Sequence, residues 1–314
     1  VVNRRHIRVK VMQSIYAMHQ NGSDNLEKEE KFLFYSIDNI QDLYLIMLSS
    51  LIEICKKETI FLHKSSLKHL ATAEERKPNE KFIKNSIFQI LSENNSLNIA
   101  LENRKIDNWT KNDDYILLLL NDIKASKLYE KYMSNSINTF EEDKQFIVDL
   151  FMDVIVPNEK LYEYLEDDKL TWVDDIPLVN TQIIKQLKAI KSGEDDNFRV
   201  PKLYKDNEDK DFVKDLFRKT VLNEAEFAKE YVDKTPNWDS DRIAEIDTII
   251  LKMAICEFLK FPSIPVKVTL NEYLEVAKEY STPKSSIFIN GILDNLVKEL
   301  QASKKMIKAG RGLM

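Results

Sequence analysis

A chain of 314 residues has only five glycines and eight prolines from which to build its tight turns. A sheet-rich fold of this length needs many more, because hairpins and bulges draw on glycine's positive φ and proline's fixed φ. The scarcity commits the chain to helices, and the apolar periodicity agrees. Ile7, Val11, Ile15 and Met18 recur at spacings of four, four and three and form one stripe. This predicts a first helix over about 4–19, closed by Asn21-Gly22-Ser23-Asp24. A second covers about 27–57, and its part over 43–54 is apolar nearly all round, which implies deep burial. Further helical segments are expected over 80–92, 113–134, 141–154, 158–166 and 178–191, with an exposed linker over 192–205.

The last hundred residues are the most regular. A helix is expected over 210–232, then a turn at Thr235-Pro236-Asn237-Trp238. Asp239 or Ser240 is placed to cap the next helix, which Pro262 and Pro265 stop near Phe261. Thr269 and Glu272 fit a capping box for the helix after it, and Thr282-Pro283 opens the final one. A weak internal repeat runs at an offset of 66 residues, pairing Phe146–Phe151 with Phe212–Phe217, Trp172 with Trp238 and Ile183-Ile184 with Ile249-Ile250. Duplication of a helix pair and chance similarity of helical heptads both account for it.

Chemistry-bearing patterns are sparse. His6, His19, His63 and His69 stand at no metal-ligand spacing, and the five glycines form no phosphate loop. No serine or cysteine nucleophile motif occurs, so no enzyme, metal or cofactor is expected. Cys55 and Cys256 both lie in apolar helical contexts, which suggests lone thiols in a reducing cytosol. No apolar run approaches membrane-spanning length.

Charge is more informative. The net charge of −6 conceals a strong segregation. Between residues 141 and 175 twelve acids face three lysines, and a solvated acidic face explains them better than paired catalytic acids. From Lys298 to the end, four lysines and Arg311 face Glu299 alone. At the other terminus Arg4, Arg5, Arg8 and Lys10 precede any acid, the first being Asp24. Positive charge in a first helical turn opposes the dipole by a few tenths of a kcal/mol each. Clustering arginines there costs stability, and arginine's planar fork suits phosphate. The partner is either nucleic acid or an acidic protein surface. Gly291, inside the final helix, either permits close packing or shapes a surface beside a ligand. Phe288, one turn earlier and near Lys284 and Ser285, is either a core residue or a stacking platform for a single-stranded base.

The segment Asp247-Thr248-Ile249-Ile250-Leu251-Lys252-Met253-Ala254-Ile255-Cys256-Glu257-Phe258 is followed by Ile264-Pro265-Val266-Lys267-Val268-Thr269-Leu270-Asn271-Glu272 and by Phe288-Ile289-Asn290-Gly291-Ile292-Leu293-Asp294. Together these blocks resemble the NusB family of transcription antitermination factors. The opening Arg4-Arg5-x-x-Arg8 with Gln13-Ser14-Ile15-Tyr16 is similar to that family's arginine-rich first helix. Lys252 and Cys256 depart from the arginine and tyrosine usual there, and Lys284 stands where an acid is common. The resemblance covers about 1–22 and 210–314. It implies an all-α fold, a NusB-like pair of small helical bundles, enlarged here by an inserted helical region. Residues 1–58 and 206–314 would form the NusB-like parts and 59–205 the insertion.

The resemblance further implies a cytoplasmic, non-enzymatic, RNA-binding protein. It would bind single-stranded boxA-like RNA of ribosomal RNA transcripts together with NusE, a small-subunit ribosomal protein, within an RNA polymerase antitermination complex. By position, Arg4, Arg5, Arg8, Lys284, Ser285 and Phe288 would face RNA, and Tyr16 and Asp247 would face NusE. The alternatives are a helical protein-interaction scaffold, or a NusB-like domain tied to ribosomal RNA modification. The second needs a following α/β cofactor domain, and here the matching block lies at the C-terminal end.

Overall fold

The computed structural model describes residues 1–193, 198–232 and 244–309. Among these residues every regular element is a helix, as the scarcity of turn-formers implied. Helix α1 (Arg4–Gln20) and the long α2 (Leu26–Ser66) open the chain. Short helices follow: α3 (Ala73–Arg76), α4 (Ser86–Glu93), α5 (Asn95–Asn103) and α6 (Asn108–Lys111). Then come α7 (Asp113–Ala125), α8 (Lys127–Ser134), α9 (Phe140–Leu150), α10 (Glu159–Asp168) and α11 (Ile176–Ala189). The last five are α12 (Asn207–Leu222), α13 (Glu224–Val232), α14 (Glu245–Lys260), α15 (Val266–Tyr280) and α16 (Pro283–Ala302).

These helices form two compact units, one of residues 38–203 with Val1, the other of 2–37 and 204–314. The division falls inside α2, after Ile37. Within the 38–203 unit, the buried stretch of α2 is held by two indoles. Trp109 Nε1 donates to the carbonyl of Ile46 at 2.9 Å, and Trp172 Nε1 to that of Asn39 at 2.8 Å. Leu43, Tyr44, Leu45, Leu48 and Leu51 are all at 0% exposure. A second centre forms around Phe82, whose ring meets Phe88 and Phe146 edge-on, while Tyr132 stacks on Phe146 at 3.8 Å. Asp143 there accepts from the Ser86 backbone N–H at 2.9 Å and from the Tyr132 hydroxyl at 2.6 Å, so one carboxylate caps α4 and anchors α8.

In the other unit, α1 packs against α12, α14 and α15. It is buried well beyond the expected stripe: Val9, Lys10, Met12 and Ser14 are covered along with Ile7, Val11, Ile15 and Met18. Helix α14 is buried almost continuously from Ile249 to Phe258 because α12, α13, α15 and α16 pack around it.

Several boundaries differ from the periodicity. The segment 113–134 is two helices, because Ser126 leaves α-geometry and its side chain caps α8 by accepting from the Tyr129 N–H. The segment 210–232 breaks at Asn223, which closes α12 before α13 begins. The run through residue 154 becomes a π-helical turn over Phe151–Ile155. The Thr269–Glu272 capping box does not form. Helix α15 already begins at Val266 behind Pro265, so Thr269 lies inside it and its hydroxyl donates instead to Glu257. Thr282 and Pro283 do open α16, with Thr282 accepting from the Ser285 N–H at 3.2 Å. The Asp239 and Ser240 caps, the turn at Thr235–Trp238 and the Trp238 match of the repeat lie outside the described residues.

Candidate nucleic-acid interface

Two helix N-termini meet at one cleft. Asn3, Arg4, Arg5 and Arg8 of α1 face Ser263, Ile264, Pro265 and Val268 at the start of α15, with Glu272 beside them. The cleft measures about 450 Å³. Neither helix carries an acid in its first turn, and no side chain caps α15. Asn3 caps α1, its Oδ1 accepting from the His6 N–H at 2.8 Å. Two dipole ends and three guanidinium groups therefore converge on one small space, with Glu272 as the acid beside them.

The three arginines differ sharply in how they are held. Arg8 is 2% exposed and its fork lies on Glu257, which is fully buried: Nε donates to Oε2 at 2.9 Å and Nη2 to Oε1 at 2.7 Å. The same carboxylate also accepts from Thr269 Oγ1 at 2.8 Å and the Tyr273 hydroxyl at 3.0 Å. Burial works against the Arg8 charge, but the bond to Glu257 and its negative charge outweigh it, and the net pKa is raised. Burial likewise pushes the Tyr273 phenol well up, so it serves as a donor. Phe212 and Tyr273 lie 5.2 and 5.7 Å from the guanidinium carbon.

Arg4 is part-exposed. Its Nε donates to Asp209 at 2.9 Å, and its guanidinium lies over Phe212 at 5.0 Å. Arg5, 45% exposed, makes a second fork, with Nε to Glu272 Oε2 at 2.9 Å and Nη2 to Oε1 at 3.0 Å. That bond is the largest cause of its raised pKa.

The other expected residues lie elsewhere in the same unit. Lys284, Ser285 and Phe288 occupy the first two turns of α16 and do not line the cleft. Lys284 is exposed and Phe288 half-buried, while Ser285 is buried with its hydroxyl 2.9 Å from Thr282 Oγ1 at the helix start. Ile287, which the pattern did not single out, is 75% exposed on this helix. Gly291 is exposed, and a Cβ built there meets nothing within 4 Å. The close-packing alternative for this glycine is thereby removed.

Tyr16 is 38% exposed on α1. Asp247 is buried and accepts from Ser281 Oγ at 2.5 Å, which ties the start of α14 to the end of α15. His19 lies between two acids, with Nδ1 3.0 Å from Glu245 and Nε2 2.9 Å from Glu224. Burial pushes Cys256 up to about 12 and Cys55 to about 11, so both stay thiols at neutral pH. Among the described residues no group of three or more His, Cys, Asp or Glu is placed to hold a metal ion.

The residues that the sequence reading missed are the partners: Glu257, Glu272, Asp209, Thr269 and Tyr273. One signal was available. Glu257 is an acid inside the apolar run Met253-Ala254-Ile255-Cys256-Glu257-Phe258, and such an acid needs a buried cation.

Comparison with known proteins places the chain in a family. Residues 178–298 match the NusB family. The chain is 44% identical over 117 residues to the transcription antitermination protein NusB of Salinibacter ruber, covering 37% of this chain and 72% of that protein. The chain belongs to the NusB family. The NusB protein of Chloroherpeton thalassium is 38% identical over 105 residues, 33% of this chain and 50% of its own length. That of Natranaerobius thermophilus is 45% identical over 76 residues, 24% of this chain and 55% of its own length. This NusB-family chain therefore spans about half the length of those two relatives. No solved structure matches. No helix among the described residues is long and apolar enough to cross a membrane.

Proposed function

We propose that this chain is a non-enzymatic, cytoplasmic RNA-binding antitermination factor. It binds single-stranded boxA-like RNA together with NusE and joins an antitermination complex on RNA polymerase. The observation that carries the reading is the cleft in which Arg4 and Arg5 stand at the uncapped start of α15 and the arginine-bearing start of α1. A phosphate there meets two dipole ends and, in exchange with their carboxylate partners, two guanidinium groups.

The roles divide by exposure. Arg4 and Arg5 reach phosphate, and Arg8 fixes the helix that presents them. Lys284 and Phe288 extend the RNA-facing surface along α16, and Ser285 shapes its first turn. Tyr16 faces NusE, and Asp247 supports that face from behind through Ser281. The 38–203 unit holds the insertion, although its last helix, α11, already falls within the family match, and its acidic content directs it toward protein or basic partners and away from RNA.

The test is fluorescence anisotropy of a labelled boxA-like RNA, with and without NusE, across a salt series. The log–log slope for single strands is about −0.7 per phosphate contact. Replacing Arg4 and Arg5 with alanine should weaken binding and flatten the slope by about 1.4. A slope that does not move in this double variant removes the cleft from the RNA path.

A further inference from the structure

We propose that Glu272 is a built-in competitor in the anion cleft: in the free protein its carboxylate occupies the Arg5 fork, and RNA phosphate binds Arg5 only by displacing it. The proposal rests on the RNA reading given above.

All three cleft arginines are already paired, so an incoming phosphate must exchange with a carboxylate. The exchange is not equally possible at each. Glu257 is fully buried and takes four donated hydrogen bonds, two from Arg8 and one each from Thr269 and Tyr273. Pulling Arg8 away would leave that charge buried with two hydroxyls only, so this pair stays closed. Asp209 is 8% exposed in its side chain, and the Arg4 guanidinium also lies over Phe212. Arg4 has a looser second partner in the exposed Glu208, 3.7 Å away, but that contact is no fork. Of the two bidentate forks, only Arg5–Glu272 combines an exposed guanidinium, at 45%, with a solvent-reachable carboxylate, at 21%.

Glu272 also imitates the ligand. Its two oxygens meet Nε and Nη2 of Arg5 at 2.9 and 3.0 Å, the bidentate arrangement that a phosphate uses. The two anions cannot occupy one fork together. Glu272 further lies 3.7 Å from Arg8 Nη1, so it stays near the cleft when Arg5 lets go and repels a second anion there. The other acid in reach of Arg5, Glu275, is itself held by Lys278 at 2.7 Å. The effect of the competition is selectivity. A lone anion gains little by displacing Glu272, whereas a strand that also engages Arg4 and neighbouring groups offsets the exchange.

The experiment uses the full chain, the same labelled boxA-like RNA and a potassium chloride series. Glu272→Gln should tighten binding about two- to fivefold, the scale of one exposed charge pair. The log–log salt slope should stay as in the wild type, because Arg5 neutralises the same phosphate once Glu272 has been displaced. Arg5→Ala should erase the gain, so that the double variant matches Arg5→Ala alone. Glu272→Asp keeps the charge but shortens its reach and should tighten binding less than Gln. It carries the test if circular dichroism shows the Gln variant unfolded. Wild-type binding with an equal or weaker folded Glu272→Gln variant overturns the proposal and leaves the RNA reading standing. Absence of binding by the wild type and by every folded variant overturns both.

Discussion

Truncating Arg8 tests whether this residue is a support for the cleft and not one of its ligands. In Arg8→Met the buried Glu257 keeps two hydroxyl donors, from Thr269 and Tyr273, but loses its only bidentate cation. Breaking a buried pair at one end costs about 3–5 kcal/mol, because the remaining charge has no compensation. Glu257→Gln should cost a similar amount from the other side. It strands the Arg8 guanidinium, which is 2% exposed. The double variant restores neutrality. Only imperfect hydroxyl pairing and altered packing remain, about 1–3 kcal/mol. The singles should therefore sum to well above the double, with a coupling of several kcal/mol in magnitude. Urea unfolding at neutral pH followed by circular dichroism reads this, fitted with separate transitions if the two units melt apart. RNA binding measured well below the midpoint should survive in the folded double variant with its salt slope unchanged. Single variants costing under about 1 kcal/mol, or additivity within about 0.5 kcal/mol, would refute the structural assignment. A slope flattened by about 0.7 in the folded double variant would make Arg8 a phosphate ligand after all.

Gly291→Ala should raise stability by about 1 kcal/mol, since the site is exposed and open and the helix gains from alanine. A thermal melt shifted downward would contradict this. A stabilised variant with weaker RNA binding would identify the glycine as a close-approach point. Lys308 donates to the carbonyls of Glu257 and Phe261, both at 2.9 Å, and burial lowers its pKa to about 8. Because the docked amine binds its proton less tightly than a free lysine, docking should strengthen as pH rises from about 8 toward 10.4 and stay constant below that window. An NMR titration of the Lys308 ε-methylene with a midpoint near 10.4 would show that the amine is not held in this way. Replacing residues 38–203 with a short flexible linker should leave a folded, RNA-binding unit. Excising 59–205 instead should give an aggregating protein, because Leu43, Leu45, Leu48 and Leu51 lose their cover. Size-exclusion chromatography and circular dichroism distinguish the two constructions.

Much of the fold was legible because helices advertise themselves locally. The stripe Ile7-Val11-Ile15-Met18, the Thr282-Pro283 start and the near absence of glycine each act through nearest neighbours. The errors came where distant contacts decided. Ser126 and Asn223 interrupt patterns that read as continuous, since a capping residue and a helical residue of the same type differ only in what surrounds them. Thr269 and Glu272 carry the spacing of a capping box, but Pro265 starts the helix earlier and both side chains are drawn to partners far away in sequence. The burial of Leu43–Ile54 was plain from composition. Its partners were not, because Trp109 and Trp172 lie 63 and 133 residues beyond the carbonyls that they bond.

The candidate site shows the same limit in sharper form. Arg4, Arg5 and Arg8 share one residue type and one helical turn, so sequence gives them one role. Their energies separate only through Asp209, Glu272 and Glu257, which lie between 205 and 267 residues away. A charge in the first turn of a helix opposes the dipole, and its tolerance was the hint of use. The structure supplies a second reason for it, since each guanidinium is already neutralised by an acid brought in from α12, α14 or α15. The tolerated cost is thus met in part by folding itself. On the proposed reading, what remains for binding is held by the exposed pairs, and the Arg5–Glu272 fork is the one that a ligand would open.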